Sequence, residues 1–89
     1  MAEYFFTEHA HFEMKRRGLS EAVVRSVLTA PEERLEIRKG RVVLQSRVEM
    51  DSPPKTYLIR VFVDVDRELQ EVVSVYRTSK ISKYWRQNR

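Results

Sequence analysis

No cysteine occurs among the 89 residues, which excludes disulfide staples and thiolate metal sites and agrees with a reducing cytoplasm. Stability must come from packing. Two glycines and three prolines leave too little low-complexity sequence for extended disorder, and there is no Gly-rich phosphate loop. A chain this short reads as one domain over residues 1–89. The only histidines are His9 and His11, and residues two apart on a helix face different ways. No metal and no other cofactor is therefore expected. No segment approaches the roughly 20 apolar residues of a membrane span, and residues 1–6 lack the long apolar region of a signal peptide. The expectation is a soluble, cytoplasmic protein with no membrane partner.

Acid is missing from one region. Residues 76–89 hold five cations, Arg77, Lys80, Lys83, Arg86 and Arg89, and no Asp or Glu, whereas residues 1–75 hold twelve cations against thirteen anions. The net charge of +4 therefore sits in the last fourteen residues. Tyr76, Tyr84 and Trp85 are interleaved with those cations. Cations for phosphates and flat rings for unstacked bases are the two contacts that single-stranded nucleic acid uses.

The rest of the chain reads as a scaffold. Thr7 is an N-cap signal for a helix over 8–17, with Lys15, Arg16 and Arg17 in its last turn and Gly18 as a left-handed cap. Ser20 caps a second helix over 21–29, and Pro31 lies just past its end. Arg17 reads as structural, pairing with an acid of the second helix. Tyr4, Phe5 and Phe6 read as an edge strand or a hydrophobic lead-in. After Pro31 the period changes to alternation, with strands over 34–38, 41–50, 55–65 and 69–77 and a tight turn at Lys39 and Gly40. A short helix from about residue 79 follows. The expected fold is α+β, with two N-terminal helices packed on one face of a four-stranded twisted antiparallel sheet and a short C-terminal helix. Alternation puts Ile59, Val61, Val63, Val73 and Val75 toward the helices. It puts Arg47, Arg60, Phe62, Ser74 and Tyr76 on the opposite face, a reasonable RNA cradle.

With these residues placed, the sequence resembles a small bacterial domain family grouped with the RelE/ParE-like toxins of the barnase, colicin and RelE type of ribonucleases. The likeness is carried by His9-Ala10, Met14 and Arg17-Gly18-Leu19-Ser20 at one end. At the other it is carried by Val75-Tyr76-Arg77-Thr78, Lys80 and Tyr84-Trp85. It covers about residues 4–85, and family members commonly carry an arginine where this chain has Glu13. The resemblance implies the same two-helix, antiparallel-sheet architecture. It also implies a metal-independent endoribonuclease, the toxin component of a toxin–antitoxin pair, that cleaves mRNA or tRNA. RNA, an acidic antitoxin and the ribosome are the partners it implies.

Metal-free cleavage of RNA needs a base, an acid and cations for the charge that develops at phosphorus. His9, Arg60, Arg77, Thr78, Lys80 and Tyr84 are the catalytic candidates, His9 first because imidazole titrates nearest neutrality. Arg47, Tyr76, Lys83, Trp85 and Arg86 are the RNA-binding candidates. The alternatives are a non-catalytic RNA- or protein-binding module and a degenerate toxin. Convergence of the catalytic candidates favours chemistry, and dispersal favours binding.

Overall fold

Two side-chain caps start the helices. In the computed structural model, which describes residues 3–86, the Thr7 hydroxyl accepts from the Ala10 N–H at the head of α1 (Glu8–Arg16), and the Ser20 hydroxyl accepts from the Val23 N–H at the head of α2 (Glu21–Thr29). Each satisfies an N–H that a first helical turn leaves without a partner. The first helix ends in a Schellman arrangement: Leu19 N–H bonds to Met14 C=O at 2.8 Å and Gly18 N–H to Lys15 C=O at 3.3 Å. Gly18 sits at φ +66°, where a side chain is disfavoured, and Leu19 is buried behind it.

The strands are β1 (Tyr4–Phe6), β2 (Glu33–Arg38), β3 (Arg41–Met50), β4 (Lys55–Asp64) and β5 (Gln70–Thr78), and a one-turn helix, α3 (Ile81–Tyr84), follows. They form one sheet in the order β1-β5-β4-β3-β2. Neighbouring strands from β2 to β5 pair antiparallel, while β1 pairs parallel with β5, Tyr4 opposite Gln70 and Phe6 opposite Val72. The expected four-stranded antiparallel sheet carrying two N-terminal helices is corrected accordingly. A strand precedes the helices, the sheet is five-stranded and mixed, and three helices occur among the described residues. Three residues are too few for alternation to reveal, and their partner lies at the far end of the sequence.

Thr7 ties the ends of the chain together. Its N–H and its hydroxyl both donate to Val72 C=O, at 3.1 and 3.2 Å. Ala10, Met14, Val24, Val27 and Leu28 of the helices share one buried cluster with Val42, Leu44, Ile59, Val61, Val63, Val72 and Val75 of the sheet. The expectation that Val73 belongs to this core is corrected to Val72. The register slips between Phe62, opposite Ser74, and Val63, opposite Val72, so Val73 is the extra residue of a bulge and only half-buried.

The bulge and the short β1 position the site. β1 covers β5 only as far as Val72, so the outer edge of β5 from Val73 onward has no strand beside it among the described residues. α1 packs along β5, and its side chains reach that edge.

Candidate nucleic-acid interface

Three adjoining recesses follow β5. The first, about 380 Å³, is lined by His9, Arg41, Phe62, Val73 and Ser74. A second, about 350 Å³, shares Phe62 and Ser74 with it and adds Arg17, Arg60, Tyr76 and Tyr84. The third, about 240 Å³, shares Arg17 with the second and adds Arg16 and Arg77. Together they form a groove that wraps round the β5 edge, from the sheet face opposite the helices to the helix side. No carboxylate lines it among the described residues.

Arg60 stands at its centre, on the face opposite the helices. Its Nε donates to Gln45 Oε1 at 2.8 Å, and Gln45 Nε2 donates to Glu33 Oε1 at 2.6 Å and to Tyr84 C=O at 3.2 Å. The guanidinium lies 4.3 Å from the Tyr84 ring centre and 5.4 Å from that of Phe62. It makes no ion pair with a carboxylate among the described residues, although it is half-buried. Burial lowers its pKa from the usual arginine value, with the Arg86 charge adding to that, yet an arginine stays protonated in proteins. A partly desolvated cation held by a neutral amide and two rings is an arrangement that a bound anion relieves.

The remaining cations of the groove fall into two kinds. Arg41 is neutralised by Asp64 through bonds of 2.6 and 3.1 Å, and the hydrogen bond from Arg41 holds the Asp64 carboxyl below its ordinary value. Arg17 was expected to pair with an acid of α2; instead its Nε bonds Glu13 one turn back at 2.9 Å, and Arg16 Nη1 reaches the same carboxylate at 3.2 Å. The hydrogen bond from Arg17 is the main reason that the Glu13 carboxyl is held below its ordinary value. Arg17 also lies 4.6 Å from the Tyr76 ring centre, which places it over the β5 edge. Arg77 is unlike these: it lies 4.8 Å from the Tyr57 ring centre and has no carboxylate partner among the described residues.

The catalytic candidates do not converge. His9 lines the first recess, Arg60 and Tyr84 the second, and Arg77 the third. Arg60 and Arg77 lie on opposite sheet faces, since Arg77 pairs with Ile59 in register. The Thr78 hydroxyl accepts from the Lys80 N–H at 3.0 Å and so shapes the turn into α3, while Lys80 is exposed and lines none of the three recesses.

Among the binding candidates, Tyr76 lies in the groove, its ring centre 6.0 Å from that of Tyr84. Lys83 lies 5.5 Å from the Tyr84 ring centre. The others form a strap. Trp85 is buried, with Arg47 4.3 Å from its ring centre, and Arg47 is also bonded to Glu32 through Nε and Nη2. The Arg86 N–H donates to both oxygens of Glu33 at 3.1 Å. Residues 81–86 are thus held across the face that carries the buried Val43 and Leu58. Arg89, one of the five terminal cations, lies outside the described residues.

Arg16, Arg41 and Gln45 were not singled out as site residues by the sequence, and Arg17 was read there as structural. Arg16 and Arg17 carried a signal for helix-dipole pairing, which hides any second role. Gln45 carried only its place between Arg47 and Val43 on an alternating strand.

Comparison with protein-family models, with curated proteins and with solved structures finds no match. The chemistry of the groove is therefore read from its own residues.

Proposed function

We propose that the protein binds single-stranded RNA along the β5 groove, with Arg60 taking a backbone phosphate and Tyr76, Tyr84 and Phe62 offering faces to unstacked bases. The observation that carries this reading is Arg60 itself, half-buried, aimed by Gln45 and without a carboxylate partner among the described residues. Single strands need such a mixture: cations give salt-dependent affinity, and rings distinguish an open base from one stacked in a duplex.

Cleavage of the bound strand is a second reading, favoured by His9. It lines the recess that shares Phe62 and Ser74 with that of Arg60. On that reading the protein is an endoribonuclease of the toxin kind.

Fluorescence anisotropy with a labelled single-stranded RNA, an equal-length duplex and the Arg60→Gln variant tests the binding. The single strand is expected to bind more tightly than the duplex, and the variant to lose about tenfold or more, as for a charge-assisted contact. Equal affinity of wild type and variant would overturn the reading. Running the same RNA on a gel after incubation with wild type and His9→Ala decides the second. Fragments from the wild type that the variant fails to produce support cleavage, and intact RNA in both leaves binding alone.

A further inference from the structure

We propose that the recess between Arg16, Arg17 and Arg77 takes a phosphate monoester at the end of the bound strand, so that the protein recognises a phosphorylated RNA terminus. The inference rests on the groove being a nucleic-acid site.

Three guanidinium groups from two elements meet round about 240 Å³. Arg16 and Arg17 come from the last turn of α1 and the residue that caps it, and Arg77 from the end of β5. Like charges gathered in this way repel, and among the described residues the one carboxylate bonded to any of them is Glu13, which pairs with Arg16 and Arg17. One acid against three cations leaves a net charge of +2. A phosphodiester carries one negative charge, whereas a monoester carries about −1.5 to −2 at pH 7. The recess therefore matches the charge of a chain end better than that of the chain interior.

Donor geometry agrees. Glu13 takes Nε of Arg17 and Nη1 of Arg16, and the terminal amino groups of Arg17, which lines the recess, have no acceptor among the described residues. The Arg77 side chain makes no hydrogen bond among the described residues. Its guanidinium is held against the Tyr57 ring, and the Tyr57 hydroxyl is fixed by donating to Asp51 at 2.8 Å. An arginine braced by a ring keeps its fork of donors for a ligand, and a monoester offers three acceptor oxygens where a diester offers two. Arg17 also lines the Arg60 recess, so a terminal phosphate bound here would lead its nucleotide toward Tyr76 and Tyr84.

Competition against a labelled, hydroxyl-ended RNA tests this with four unlabelled competitors: the same sequence with a 5′-phosphate, with a 3′-phosphate and with hydroxyls at both ends, and inorganic phosphate. One of the two phosphorylated ends is expected to compete at least about tenfold better than the hydroxyl-ended strand, and which end does so gives the strand's polarity. Arg77→Lys keeps the charge but loses the fork, and is expected to shrink that ratio severalfold. Arg60→Gln is expected to weaken every strand while preserving the ratio. Equal competition by all three strands would overturn the inference and leave the groove reading standing. Failure of the labelled RNA itself to bind would overturn both. Inorganic phosphate competing as well as the phosphorylated strand would also overturn it, by showing an anion site unconnected to the groove.

Discussion

The two faces of the sheet are held by different forces. Toward α1 and α2 the contacts are aliphatic, with Ala10, Val24, Ile59, Val61 and Val63 fully buried in one cluster. On the opposite face the closing element is the strap of residues 81–86, fastened by Glu33, Gln45 and the Arg47–Trp85 stack. Burial of apolar surface is non-directional and tolerant of small shifts, whereas a hydrogen-bonded relay has one geometry in which all its members are satisfied. The helix face therefore sets stability. The strap face sets where Arg60 points.

The largest effect is expected at the helix face. Ile59→Ala leaves a cavity under the central strand β4 and should cost about 3–4 kcal/mol, at the upper end for buried aliphatic truncations. Urea unfolding followed by circular dichroism measures it. A loss below about 1 kcal/mol would mean that the helix face does not dominate.

The relay should yield less stability and more function. Gln45→Ala removes the acceptor for Arg60 Nε and the donor to Glu33 and Tyr84 C=O, at a cost of about 2 kcal/mol for buried polar groups left without partners. Trp85 is the sole tryptophan, so its emission reports on the strap alone. A red shift with unchanged helical dichroism is expected, together with weaker RNA binding. Unaltered emission and binding would show that the strap does not depend on Gln45.

The smallest effect sharpens the contrast through pH. The hydrogen bond from Arg41 keeps the Asp64 carboxyl below its ordinary value, so the ionised pair contributes stability above roughly pH 4, the unfolded value. That contribution fades as pH falls through the lower folded value. Asp64→Asn should cost about 1 kcal/mol at neutral pH, and the difference from wild type should shrink on acidification below about pH 4. A difference independent of pH would contradict the assignment.

The local signals in the sequence were legible. Thr7 and Ser20 cap helices, Gly18 takes the left-handed position, and Gly40 at φ +85° makes the turn between β2 and β3, each because one residue type answers one backbone need. What could not be read was long-range. The pairing of β1 with β5 joins residues 4–6 to residues 70–72, and the bulge at Val73 shifts the phase of β5 by one residue, which no period shows. The groove depends on both, since only a short β1 leaves the β5 edge open for Arg17 to cross. The charge run at the C-terminus was legible in the sequence, but its geometry was not. Arg47 and Trp85 are engaged with each other, and the groove draws its cations largely from α1, β4 and β5.

If Arg17, Arg60 and Arg77 face a bound strand, side-chain NMR of the arginines will report it. Arginine Nε–Hε signals of the labelled protein would be followed while single-stranded RNA is added. Shifts concentrated at Arg17, Arg60 and Arg77, with Arg25 and Arg34 of α2 and β2 unmoved, are the predicted result. Equal movement of Arg25 and Arg34, or a motionless Arg60, would contradict it.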